Sequence, residues 1–323
     1  MLKTIWVWLF VCLAAAYSVE ICVEIDTPAQ QIKINGNAKD MVVYGNKLYI
    51  VTEQGFMQEY DYTAQTFTYT IELPQIKDFA GDMVPARIFS VDYNEGKYLL
   101  LSDSGKGGYT NMWIHENNTT KQIFGPENKK ALVKARFIDQ KHILLAYLSN
   151  EAALYDIDAQ KELYRVKLSE SKFSDFALNA DKSLVIFSCE SGILSLVDVP
   201  SGKVMKELKG MNLDNVYKVD FKQNIVSGAG QDRRGSLYDV TTGRGDYIEG
   251  NFLIYATGLS PNAKKVAFAM DERNDISVYD VATKAKIAVL HGQKSTLNAI
   301  IFKDEMTLFS SSDDNTVMMW ELK

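Results

Sequence analysis

The chain has 323 residues, 46% of them hydrophobic and 24% charged, the composition of a globular protein rather than a disordered segment or a polytopic membrane protein. A formal charge of −6 supplies no basic excess to displace counterions from phosphates, which excludes nucleic acid as the main partner. Seventeen Tyr and fifteen Phe beside only six Pro suit a chain rich in strands.

The first element is a leader. Lys3 precedes an uninterrupted apolar run from Ile5 to Ala16, and small residues around Ala16 and Ser18 follow. Residues 1–18 therefore read as a secretory signal peptide. Its apolar run is twelve residues long, whereas crossing a hydrocarbon core takes about 20. The expectation is export to the periplasm, no stable membrane insertion after cleavage, and a single domain over residues 19–323. Cleavage would leave 34 basic residues against 41 acidic ones and two cysteines, Cys22 and Cys189. Two cysteines at that separation match neither a disulfide framework nor a metal-ligand spacing, and free or buried thiols are expected.

Residues 29–35 (AQQIKIN) alternate polar and apolar, the signature of a half-buried strand. A repeat then begins near Lys39. An aromatic or branched residue followed by an acid recurs as Tyr60-Asp61, Tyr155-Asp156, Val197-Asp198, Tyr238-Asp239, Tyr279-Asp280 and Trp320-Glu321, with Trp113 at the same place in a degenerate copy. The successive intervals are 53, 42, 42, 41, 41 and 41 residues, which means seven copies. The long first interval holds two insertions: residues 74–85 (PQIKDFAGDMVP), with Phe79 and Met83 in a loop context, and the Gly-rich turn containing Lys106 and Tyr109. That turn lacks both the spacing and the following helix of a phosphate loop and reads as a hairpin tip. Asn117-Asn118-Thr119-Thr120 holds two overlapping glycosylation sequons, which matter only in a eukaryotic secretory pathway.

The fourth copy shows the plan of every repeat. Strands are expected at 173–178, 183–189, 193–199 and 204–208, separated by turns that contain Gly192 and Gly202. Four short strands per copy and no segment of 3.6 period after the leader exclude an α-rich or Rossmann architecture. Turns between second and third strands place Arg233 and Arg234 of the fifth copy and Arg273 of the sixth on one rim with Lys106 and Tyr109. Such a mixed-charge, partly aromatic rim suits recognition of other proteins.

The last copy carries His291-Gly292, a strand at 297–302, then Phe309-Ser310-Ser311-Ser312-Asp313-Asp314-Asn315-Thr316 and a terminal Trp320-Glu321. Here the chain resembles the WD40 family, with the Gly-His pair reversed, Asn315 in place of Gly and Glu321 in place of Asp. Ser227 to Asp232 is a looser match. The resemblance covers about residues 39–323 and implies an all-β, seven-bladed β-propeller of four-stranded antiparallel blades. It also implies a polar tetrad in the last blade, formed by His291, Ser310, Asp314 and Trp320. Because the chain stops just after Trp320, the last blade lacks its outer strand. Residues 31–34 are expected to supply it by pairing with 316–322, closing the ring.

Candidate chemistry is sparse. The three histidines, His115, His142 and His291, form no haem, zinc or protease motif, and there is no Walker loop or nucleophile elbow. Asp313-Asp314 and Asp271-Glu272 read as turn residues rather than a calcium site. No catalytic residue, cofactor or metal site is expected, and the partners expected are other proteins. A leader followed by seven loose repeats is similar to the propeller-type accessory proteins of periplasmic nitrate reductase systems. This likeness implies a non-catalytic platform for docking or maturation of a periplasmic respiratory reductase. The alternative is a propeller enzyme of lactonase or quinoprotein-like type.

Overall fold

A computed structural model describes residues 22–323; the leader expected at residues 1–18 lies outside the described residues. The architecture is a seven-bladed all-β propeller. Blade 1 comprises Ala38–Tyr44, Lys47–Thr52, Phe56–Asp61 and Thr66–Glu72, hydrogen-bonded in that order. Blade 2 begins at Ile88–Asn94, blade 3 at Leu132–Phe137, blade 4 at Phe173–Leu178, blade 5 at Val216–Lys222, blade 6 at Ala256–Leu259 and blade 7 at Leu297–Phe302. Each of these repeats the antiparallel four-strand order, and the strands named first are the innermost.

The recurring acid explains itself in the turns. Asp61 accepts the backbone N–H groups of Thr63 and Ala64 at 2.9 and 2.8 Å. Asp156, Asp198, Asp239 and Asp280 cap the equivalent turn between third and fourth strands in the same way. Four residues after each acid the chain passes through the left-handed region, at Gln65, Gln160, Gly202, Gly243 and Lys284. A side chain that hydrogen-bonds its own turn makes the hairpin locally self-specifying. That local demand fixes the period.

Seven hydrophobic clusters hold the ring, and each spans two neighbouring blades. Leu101, Phe137 and Tyr155 belong to one that joins blades 2 and 3; Met41, Phe309 and Val317 belong to one that joins blades 7 and 1. The core is therefore seven wedges rather than one centre, and the wedge between last and first blades closes the circle. The outer strand of blade 7 is Gln30–Lys33, antiparallel to Thr316–Glu321 with Lys33 opposite Thr316. This is the closure expected from the alternating N-terminal segment.

One element was not foreseen. Val23–Ile25 adds a fifth, parallel strand to blade 6, outside Lys286–Leu290. His291 fastens it, with Nε2 2.6 Å from Glu24 and Nδ1 3.0 Å from Asp275. The hydrogen bond to Glu24, and then Asp275, raise the pKa of this imidazole.

Candidate functional site

In every blade the turn between second and third strands lies on the same face as the connection from the fourth strand to the next blade. Both insertions belong to that face. Residues 74–85 form a small hairpin, Ile76–Lys77 against Met83–Val84. Its tip is built, not slack: Asp78 accepts the N–H groups of Ala80 and Asp82, both at 2.9 Å. This holds Phe79 fully exposed to solvent (100%), with Met83 half exposed beside it. The root of the hairpin rests on the Gly-rich turn of blade 2. Gly105 (φ +74°) sits so close that a Cβ there would lie 1.9 Å from the Lys77 carbonyl oxygen, so only glycine allows the contact. Ser104 closes the turn by donating to the Tyr109 carbonyl at 2.7 Å. The hairpin that carries Phe79 and Met83 and the turn that carries Lys106 and Tyr109 thus touch through Lys77 and Gly105.

The other rim residues are more dispersed. Arg233 is exposed in the blade 5 turn. Arg234 is drawn to the outer edge, where it stacks on Tyr247 at 4.4 Å and donates to the Met211 carbonyl. Arg273, exposed on blade 6, pairs with Asp275 at 3.0 Å.

The expected tetrad in blade 7 needs correction. Trp320 Nε1 donates to Ser310 Oγ at 2.8 Å, but His291 and Asp314 do not join them. Gln293 takes the place of the histidine: its Nε2 donates to Ser310 at 2.5 Å and its Oε1 accepts from Ser312 at 2.9 Å. The reversed His-Gly order is the reason. Gly292 turns the chain at φ +126° beside the Trp320 ring, His291 stays on the outside with Glu24, and Gln293 is the next side chain to point inward. Asp314 instead caps its own turn through the Thr316 N–H at 2.7 Å. Blade 2 uses the same Ser–Trp pair, Trp113 donating to Ser102 at 3.0 Å. Asp271 caps the Arg273 and Asp275 N–H groups.

The three histidines are scattered. His115 receives or donates a hydrogen bond with Tyr69 at 2.8 Å, within an aromatic stack joining blades 1 and 2, and burial lowers its pKa. His142 pairs with Asp139 at 2.8 Å in a surface turn. Among the described residues, no three His, Cys, Asp or Glu side chains are grouped as metal ligands, and no helix is long and apolar enough to cross a membrane.

The hub was missed by sequence reasoning. Four inner-strand carboxylates each accept a backbone N–H from the inner strand of the following blade: Asp40 from Val91 at 3.0 Å, Asp92 from Phe137 at 2.7 Å, Asp175 from Val219 at 3.1 Å and Asp220 from Leu259 at 2.8 Å. Lys134 reaches from blade 3 to the Phe176 carbonyl of blade 4 at 2.8 Å, and Asn298 from blade 7 to the Ala38 carbonyl of blade 1 at 2.8 Å. Between blades 6 and 7 the backbones touch directly: a Cβ on Gly258 would lie 2.5 Å from the Ile300 oxygen. The signal was a lone acid inside an otherwise alternating strand, as in FSDFAL.

Cations balance these acids. Arg136 reaches across Ser90 of blade 2 and forks onto Asp40 at 3.2 and 2.9 Å. Burial opposes ionisation of Asp175, but Lys134 and Lys218 hold its pKa below the ordinary value. Burial raises the pKa of Asp92. The channel cavity occupies about 270 Å³ and touches all seven blades; a second cavity, about 370 Å³, opens at its mouth among blades 1 to 5 on the face that carries the insertions.

No family model matches the chain. Cytotoxin-L of Paraclostridium sordellii is 23% identical over 279 residues, covering 75% of this chain and 11% of the toxin. The protein of that name from strain ATCC 9714 matches to the same extent. The chain thus spans about a tenth of the length of the relatives it matches, and a likeness of that extent assigns no activity here.

Proposed function

We propose that the protein is an exported, non-catalytic platform that binds another protein through the face bearing its two insertions. The finer reading is a periplasmic accessory or maturation factor for a nitrate reductase. The observation that carries the platform reading is Phe79, held wholly in solvent by an Asp78-capped hairpin seated on a turn that only glycine permits. An exposed aromatic on a preorganised support has little conformational freedom left to lose, which favours its use as an anchor in a partner's pocket. Lys106 and Tyr109, on the turn that the hairpin touches, add the polar margin of a typical protein interface. The accessory-factor reading is supported by the likeness of leader and loose repeats to that class of propeller.

Purification of the tagged protein from periplasm tests both levels. The reductase catalytic subunit is expected in the eluate and lost with Phe79→Asp. Another partner lost with Phe79→Asp would retain the platform and overturn the nitrate reductase assignment. A stoichiometric chromophore, with no partner dependent on Phe79, would overturn the platform in favour of the propeller enzyme.

A further inference from the structure

Lys218 reaches the mouth of the channel from the inner strand of blade 5. The carboxylates around it are already answered: Asp175 by Lys134 at 2.6 Å, Asp40 by Arg136 at 2.9 Å and Asp103 by Arg87 at 3.0 Å. Among the described residues the Lys218 ammonium makes neither a hydrogen bond nor an ion pair, its backbone being held in the strand ladder opposite Ala229. The mouth therefore carries three acids, each paired with a cation, and the Lys218 ammonium, which helps hold Asp175 ionised but makes no contact pair of its own.

The cavity has a direction. Lys134, Asp175 and Lys218 also wall the channel beneath, so they form its floor. Phe89, Val133 and Leu148 line the mouth alone, and Leu148 is 46% exposed there. The rim also carries the exposed Arg87–Asp103 pair, so a ligand arriving from solvent meets a mixed rim with these apolar side chains and reaches Lys218 at the floor. The volume of about 370 Å³ lies within the range of small-molecule sites, roughly 300–1,000 Å³.

We propose that this mouth binds an organic acid, an apolar or aromatic body carrying one carboxylate, with the carboxylate received by Lys218 and the body against Phe89, Val133 and Leu148. A free acid and the C-terminus of a polypeptide present the same chemistry. The proposal does not rest on the platform reading, since it uses none of Phe79, Met83 or Lys106.

Calorimetric titration of the folded chain with 4-phenylbutyrate, its neutral amide and N-acetyl-Ala-Phe tests it. At least one acid is expected to bind saturably and the amide about tenfold more weakly or less, the worth of a charged hydrogen bond. Lys218→Gln is expected to erase that difference and Lys106→Gln, outside the cavity, to keep it. Leu148→Asp, in an exposed turn, is a second variant that does not touch the floor, and it is expected to weaken the acid more than the amide. Tighter binding of the dipeptide assigns the site to a polypeptide terminus, and tighter binding of 4-phenylbutyrate to a free acid. Equal binding of acid and amide, indifference to both cavity variants, or no saturable binding of any probe would overturn the proposal.

Discussion

Ser310 is the residue on which blade 7 turns. It is fully buried and receives hydrogen bonds from both Trp320 and Gln293. Ser310→Ala strands two buried donors, a loss of about 2–4 kcal/mol, whereas Asp314→Ala removes only a turn cap, about 1 kcal/mol or less. Denaturant unfolding of the two variants should rank them in that order. Glu162 shows the same logic with charge. It accepts from Tyr147 at 2.5 Å and Arg165 at 2.9 Å and pairs with Lys130. Burial pushes its pKa up, but these three partners outweigh burial and hold it at about 2, below the ordinary 4.5. A depressed folded-state value means stability present above the unfolded pKa and lost as pH falls through the folded one. Glu162→Gln should therefore cost roughly 1–3 kcal/mol at neutral pH. The gap from wild type should narrow as the pH falls from about 4.5 toward 2. A gap independent of pH would contradict the ion-pair account.

At the scale of the strand, legibility followed the range of the physics. The hairpins of blade 4 were readable because turn acids and glycines act within a few residues; Phe173–Leu178 and Val204–Leu208 fall at the expected positions. The closing strand was readable because alternation predicts an edge partner, and the unfinished last blade provides the edge. Val23–Ile25 is three residues long, too short to show any period, and it pairs in parallel with a strand over 260 residues away. The tetrad was half legible. Ser310 and Trp320 are positions within strands, but Gln293 enters through a turn whose geometry the reversed His-Gly pair decides. The hub contacts made by the inner-strand carboxylates were invisible in the sequence because each joins residues some 40 to 50 positions apart, and the one from Asn298 to Ala38 spans 260. Closure itself is testable by covalent trapping. Lys33 donates to Thr316 at 2.5 Å, so their side chains share one face of the paired strands. With Cys22 and Cys189 replaced by serine, Lys33→Cys combined with Thr316→Cys should oxidise to a disulfide and raise the melting temperature. Persistence of both free thiols under oxidant would contradict the seal.

As a whole, the molecule distributes its stability around a circle. Seven wedges of apolar side chains carry the burial, and hub contacts bind each inner strand to the next. A closed ring leaves only short outer-strand edges, one per blade, and packing each blade against two neighbours resists bending. Rigidity of that kind gives a face, and the two insertions mark which face is used: they share it with the channel mouth, while the opposite face carries Asp-capped turns such as the one at Thr242. The most direct measurement places a photo-activated cross-linking amino acid at Phe79 or at Thr242 in cells that export the tagged protein. Discrete adducts with a protein partner at position 79 and none at 242 are predicted. Adducts that are absent at 79, or equally abundant at both positions, would contradict the assignment of that face as the binding surface.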